Sequence, residues 1–349
     1  MKILAIDTSC DETSVAVCEN NKVISNVVSS QVELHKKWGG VVPDISRRAH
    51  KENIDKAIKE ALKRAKTDIS KIDCFAATYG PGLAIALEVG LKKAQELAIE
   101  NNKPFVPVNH MEGHLLSSFA LNQKKTNTIP RKNDLPAIGL LVSGGHTELI
   151  LMKDFGKYKK IGETLDDAAG EAFDKVAKML DLGYPGGPII SEFAKKGMTG
   201  SFDLPIPMER SGNLNFSYSG LKTACLYLLE KTKKTRKKQS EWVYDFCSDF
   251  VRTVTKSLVI KLEHAVDKYH PKSVLLGGGV LSNVEIRRGI RKSMNKYGIK
   301  VFQPYSERMF TDNGAMIGVA AFFNVKNGSK AVLKGKRISK IDRDPVLSL

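Results

Sequence analysis

KILAIDTSCDETSVAVC at residues 2–18 and AIGLLVSGGHTELILM at residues 137–152 decide the fold. Each is an apolar run, a short turn of small or polar residues, and a second apolar run, which reads as a hairpin of two strands. The unit occurs twice, and each copy is followed by helical patterning. After the first copy, AHKENIDKAIKEALKRA (49–65) places Ile54, Ala57, Ile58, Ala61, Leu62 and Ala65 at helical spacing. A strand DCFAATYG then runs into the turn GPGL, a helix extends to about Asn101, and PFVPV forms another strand. After the second copy come the helical stretch TLDDAAGEAFDKVAKMLDLG and the strand SVLLGGG. Strands alternating with helices indicate an α/β protein, and the duplication predicts two similar lobes with a ligand cleft between them. The expected N-terminal lobe is 1–121 plus about 305–325, where the small-residue helix NGAMIGVAAFFNV returns to it. A polar linker at 122–134, a C-terminal lobe at 135–304 and a basic tail at 326–349 complete the layout.

Composition narrows the function. The chain has 349 residues, 42% of them hydrophobic, enough for a substantial core. It has no apolar stretch near the roughly 18 residues a membrane span needs and no leader pattern, so the expectation is a soluble, cytoplasmic protein without a membrane role. The cysteines, Cys10, Cys18, Cys74, Cys225 and Cys247, are odd in number and contain no CxxC pair, which argues against a disulfide framework and a cysteine zinc cluster. Fifty-five basic against 38 acidic residues give a net charge of +17, a field that gathers polyanions. The basic residues concentrate in KKTNTIPRK (124–132), KTKKTRKK (231–238) and the C-terminal tail. Any one run reads as a solvated face; three together fit an RNA partner.

Four groups of residues carry candidate chemistry. In NHMEGH (109–114), His110 and His114 stand four apart, so on a helix they share one face and suit a single metal ion. Asn109 is the expected N-cap, and Glu112 at the third helical position completes a capping box. Glu112 is thereby turned away from the metal face, unlike the glutamate of HExxH proteases. Taken alone, the pair is equally a pair of buried, hydrogen-bonded histidines. In TDNGAMIG (311–318), Asp312 reads as an ordinary N-cap or as the carboxylate that completes a two-histidine, one-carboxylate set. The turns SGGHT (143–147), YPGGP (184–188) and LGGGVLSN (276–283) let the backbone approach a phosphate, with Ser282 and Glu285 as a second expected capping box. None of them matches a Walker or Rossmann fingerprint. Finally, Asp7, Asp11 and Glu12 surround the first hairpin turn, whereas Asp174 reads as a solvated helix face paired with Lys178.

Read in order, DTSCDET, GGVVPDISRRAH, GPGL, NHMEGHL, VSGGHTEL, DDAAGEAFDKVAKML, YPGGP, FSYSGLKTA, GGGVLSN and TDNGAMIG resemble the motifs of the universal tRNA threonylcarbamoyladenosine family, in its bacterial TsaD branch, from about residue 2 to residue 323. The resemblance implies an actin/Hsp70/sugar-kinase-like (ASKHA) fold. It also implies one divalent metal, Fe2+ or else Zn2+, held by His110, His114 and Asp312. The implied donor is threonylcarbamoyl-AMP, bound by Leu141, Val142, Ser143, Gly144, Gly145, His146, Asp174, Gly187 and Asn283. The acceptor is N6 of adenine 37 in tRNAs that read codons beginning with A. Asp11 or Glu12 would take the proton, and Cys10 would serve packing. Partners implied beside tRNA are a TsaB-like paralogue and a TsaE-like ATPase. Two positions depart from the pattern: Ser191 stands where some branches carry an acidic residue, and Glu88 where an apolar one is usual. The competing readings are a small-molecule kinase or ATPase of the same fold, a non-catalytic scaffold and a metalloprotease.

Overall fold

The computed structural model describes residues 1–235 and 239–349, so the end of the basic run at 231–238 lies outside the described residues. In chain order the strands are β1 (Lys2–Asp7), β2 (Glu12–Glu19), β3 (Lys22–Ser30), β4 (Cys74–Gly80), β5 (Phe105–Asn109), β6 (Ala137–Val142), β7 (Thr147–Asp154), β8 (Lys157–Glu163), β9 (Ser273–Gly277) and β10 (Lys300–Phe302). The helices are α1 (Val32–His35), α2 (Pro43–Arg64), α3 (Ala84–Glu100), α4 (His110–Leu116), α5 (Ala169–Met179), α6 (Gly186–Ala194), α7 (Ser219–Thr235), α8 (Gln239–Tyr269), α9 (Val284–Lys296) and α10 (Gly314–Lys326).

Among the described residues the strands form two five-stranded mixed sheets, ordered β3-β2-β1-β4-β5 and β8-β7-β6-β9-β10. The two orders correspond strand for strand. In the first, β1 pairs antiparallel with β2 (Asp7 opposite Ser14) and parallel with β4. In the second, β6 pairs antiparallel with β7 (Val142 opposite Thr147) and parallel with β9. The duplicated hairpin is therefore the centre of each sheet, and the middle residues of its strands are buried on both faces. Each hairpin continues into a third strand, β3 or β8, that the apolar pattern does not mark: KVISNVVSS and KYKKIGE are mostly polar strands at sheet edges.

The chain divides into two compact units. Unit 1 comprises Met1–Lys132, Lys153–Tyr158 and Phe302–Leu349; unit 2 comprises Asn133–Met152 and Lys159–Val301. In unit 1, Leu4, Ile6, Val15 and Val17 face α2 and α3, packing with Ile54, Ile58, Leu91 and Ala94. The alternate residues face α10, which lies close enough that a Cβ on Gly314 would stand 2.9 Å from the backbone of Ala5 and Ala16. Helix α2 begins at Pro43, six residues before the apolar pattern suggests. Extended Val42 precedes a proline in the first turn, and that proline presets the helical φ. The segment after α10 also joins this core. Leu333 and Phe105 exchange backbone hydrogen bonds, and Ile338 is 1% exposed. Gln95 Nε2 donates to the carbonyls of Ile338 and Ile341, both at 2.8 Å. Its lysines, Lys330, Lys334, Lys336 and Lys340, stay exposed.

Candidate functional site

The cluster of His110, His114 and Asp312 forms where β5 hands over to α4. Asn109 ends the strand and caps the helix, its Oδ1 accepting from the N–H of Met111 (2.8 Å) and Glu112 (3.2 Å). The reciprocal half of the expected capping box does not form. The Glu112 carboxylate instead accepts from Tyr158 Oη at 2.9 Å and Asn324 Nδ2 at 3.1 Å. Burial outweighs those bonds and raises its carboxyl. The α4 turn carries His110 and His114 on one side with ring centroids 4.7 Å apart, edge to face. Asp312 joins them, because the N-cap of α10 is its neighbour Asn313, which accepts from Met316 N. Freed from capping, Asp312 Oδ1 stands 3.1 Å from His114 Nε2 and 3.4 Å from His110 Nε2.

Three donors of this chemistry converge within 4.8 Å. Nitrogen or oxygen donors about 2.1 Å from a metal at tetrahedral angles lie about 3.4 Å from one another, so the spacing fits a bound divalent cation. On the far side of His110, Nδ1 has no hydrogen-bond partner and lies 3.7 Å from Asp7 Oδ1, which accepts from Thr78 Oγ1 at 2.8 Å. Asp7 is fully buried and its Oδ2 has no hydrogen-bond partner. Burial lowers His110, but Asp312 and Asp7 override it and hold the imidazole up at about 10. Burial pushes His114 down, despite Asp312. Burial opposes ionisation of Asp312, and the two histidines outweigh it, holding the carboxyl well below its usual range. Asp11 is buried and Glu12 half-buried at the start of β2. Burial, then Asp11, then Asp312 push the Glu12 carboxyl well up. Cys10 is half-buried, with a thiol pushed up by burial and by Asp11.

The other predicted residues lie in unit 2. Leu141 and Val142 are fully buried residues of β6, the central strand of its sheet. Ser143 to His146 form the turn into β7: Ser143 N donates to the His146 carbonyl at 2.8 Å, and Ser143 Oγ accepts from His146 N at 3.2 Å. Gly144 and Gly145 are exposed at its tip. Asp174 is not a solvated partner of Lys178. Its Oδ1 accepts from Gly186 N at 2.7 Å, tying α5 to the start of α6. Asn283, rather than Ser282, caps α9, accepting from Glu285 N and Ile286 N; Ser282 belongs to the preceding 3-10 turn. The Asn283 Nδ2 donates to Ser191 Oγ at 2.8 Å, and Ser191 Oγ donates to the Gly187 carbonyl at 2.7 Å. Asp174, Gly187 and Asn283 are thus joined through the α6 N-terminus, with Ser191 as a connecting group. The residue missed by sequence reasoning is Asp7, visible there only as one of three acids near a turn.

The sequence profile of the tRNA N6-adenosine threonylcarbamoyltransferase (TsaD) family matches residues 22–319. The chain belongs to that family. The enzyme of that name from Endomicrobium trichonymphae is 47% identical over 331 residues, covering 93% of each chain. The one from Thermodesulfovibrio yellowstonii is 46% identical over 323 residues, covering 92% of this chain and 94% of its own. Among solved structures, HypF from T. kodakarensis aligns with TM-score 0.59 at 15% identity, over 94% of this chain and 48% of its own. The Acidaminococcus fermentans (R)-2-hydroxyglutaryl-CoA dehydratase component A aligns with TM-score 0.53 at 13% identity, over 94% and 99%. At such identities the likeness shows the fold alone, the two-sheet ASKHA architecture. TsaD-family membership makes the chain a transferase. No helix among the described residues is long and apolar enough to cross a membrane.

Proposed function

We propose that the protein transfers the threonylcarbamoyl group from threonylcarbamoyl-AMP to N6 of adenine 37 in tRNAs reading codons that begin with A, releasing AMP. Family membership across residues 22–319 carries this reading, and the converging donors of His110, His114 and Asp312 support its chemistry. Two imidazoles and one carboxylate suit iron(II), and zinc also accepts the set. A cation there supplies Lewis-acid polarisation of a carbonyl oxygen. Asp7, its carboxylate 3.7 Å behind His110 Nδ1, favours electrostatically the ring orientation that turns Nε2 toward Asp312.

The reacting atoms balance without a covalent enzyme intermediate. The N6 nitrogen bonds to the carbamoyl carbon, the bond from that carbon to the phosphate oxygen breaks, and AMP leaves with the electron pair. The N6 proton passes to Asp11 or Glu12. Glu12, with its carboxyl held well up, is the more basic carboxylate than an ordinary glutamate. The backbone N–H groups of Gly144 and Gly145 at the tip of the turn and the α6 N-terminus at Gly187 hold the adenylate phosphate, and Asp174 and Asn283 keep that helix start in place. The reading extends to the cytoplasm as the site of action, and to a TsaB-like paralogue and a TsaE-like ATPase as partners.

A small-molecule kinase of the same fold would leave the three converging donors without a role, and a scaffold would need neither them nor the carboxylates. To test the reading, the protein is stripped with a chelator, reloaded with iron(II) or zinc(II), and supplied with labelled threonylcarbamoyl-AMP and unmodified tRNA, with and without the two partners. Label entering tRNA only after reloading supports it. Label that never enters tRNA, or that enters equally in the stripped protein, contradicts it.

A further inference from the structure

The motif GGVVPDISRRAH (39–50) has no part in the chemistry above, yet it supplies buried polar groups aimed at the carboxylate loop. Val42 N donates to His35 Nδ1 at 3.3 Å. A backbone N–H can only donate, so His35 carries its proton on Nε2, which stands 3.3 Å from Gln31 Oε1. That fixes the Gln31 amide, whose Nε2 donates to His50 Nδ1 at 3.2 Å. His50 therefore carries its proton on Nε2, 3.1 Å from the carbonyl of Cys10. Every link runs in one sense, and each assignment forces the next. His35, Gln31 and His50 are at most 1% exposed. Burial lowers His50, in keeping with a neutral ring.

The chain ends on the loop that carries the candidate bases. The Cys10 carbonyl also accepts from Ser46 Oγ at 2.8 Å, and the carbonyl of Asp11 accepts from Gln31 N at 2.9 Å. Thr13 Oγ1 reaches His50 Nδ1 at 2.8 Å. The backbone before and after Asp11, and the residue after Glu12, are thus held by one buried cluster. Its outer end is the segment before α2, where Leu34 is 50% and Trp38 59% exposed.

We propose that the His35–Gln31–His50 chain positions the Asp11–Glu12 loop for proton removal from the acceptor amine, and couples the segment 34–42 to it. His35, Gln31 and His50 are positioning residues, not catalytic ones. The proposal rests on the transferase reading for its consequence in catalysis, but its hold on the loop can be read separately. Cys10 is the one cysteine of the five that is not buried. Its rate of modification by N-ethylmaleimide under native conditions reports the loop.

The decisive variants are Gln31→Met, which breaks the chain in its middle at similar volume, and His50→Ala, with His50→Gln as the version that keeps a donor. The expected result for Gln31→Met and His50→Ala is faster labelling of Cys10 and a kcat lowered by up to about 10²-fold at unchanged metal content, the cost of a loop displaced by about 1 Å. His50→Gln recovers part of both. In the His35→Ala/His50→Ala pair the losses do not multiply, because one unit is broken once. Should either buried histidine variant fail to fold, Gln31→Met alone decides. Wild-type labelling of Cys10 in Gln31→Met overturns the proposal whatever the activity. Faster labelling, with Asp11→Asn and Glu12→Gln both at full kcat, keeps the hold on the loop and removes the base assignment instead.

Discussion

Gly170→Ala tests the proposed donor turn separately from the proposed metal centre, by a single methyl group. Gly170 is the second residue of α5, and its N–H donates to the Ser143 carbonyl at 3.2 Å. A Cβ there would lie 2.4 Å from that oxygen, 2.7 Å from Gly144 Cα and 2.9 Å from Gly144 N. Ordinary contact begins at 3.4 Å, so the turn and the helix must separate by 3.4 − 2.4 = 1.0 Å. All three obstacles are backbone, so no side-chain rotamer relieves them. Overpacking of this kind costs about 1–3 kcal/mol, which lowers the melting temperature by a few degrees. If Ser143–His146 holds the adenylate phosphate, a displacement of about 1 Å costs up to about 10²-fold in donor turnover. The assay is steady-state transfer with preformed threonylcarbamoyl-AMP beside metal analysis of the same protein. Metal content stays at the wild-type level, because His110, His114 and Asp312 belong to the other unit. A variant with wild-type donor KM and kcat would refute the assignment of the turn.

Two further outcomes follow from the geometry. In the metal-free protein His110 is held up at about 10, above its ordinary 6.5, so its contribution to stability is complete below about 6.5 and is lost as pH rises toward 10. A metal ion held by His110 would displace that proton: calorimetric titration at pH 7.5 in buffers of different ionisation enthalpy should show close to one proton released per ion, and no release would contradict the ligand assignment. Gly80→Ala would place a Cβ 1.8 Å from the Asp344 carbonyl oxygen, breaking the seat of the C-terminal strap whose Asp344 N donates to Tyr79 O. Limited proteolysis should then cut within 342–349 faster than in the wild type, and an unchanged pattern would show that the strap adapts.

The sheet centres were legible because β1–β2 and β6–β7 are buried on both faces, which leaves apolar runs with small turns between them. Strands β3 and β8 were not, since an edge strand, paired on one side only and partly solvated, carries little apolar signal. The start of α2 was missed for a related reason: Ser46 and His50 face inward as hydrogen-bonding groups, so the buried face there is polar. Among the candidate ligands, spacing placed the two histidines on one side of α4. It could not say which of Asp312 and Asn313 caps α10, since both side chains accept from a free helical N–H equally well. Asn313 takes that role, and Asp312 is released toward the imidazoles. The same ambiguity put the α9 cap at Ser282 when Asn283 holds it. Asp7 and the His35–Gln31–His50 chain were beyond reach of local pattern, because each acts through partners brought near only by the sheet.

The central claim is transfer to one nucleoside. The most direct measurement is mass spectrometry of nucleosides and of position-mapped fragments from an unmodified tRNA reading codons that begin with A, after incubation with threonylcarbamoyl-AMP and the protein with its two partners, with His110→Ala as control. The account predicts threonylcarbamoyladenosine at position 37 with the wild type and none with the variant. An unmodified adenine 37 with metal-loaded wild type, or equal product from His110→Ala, would contradict it.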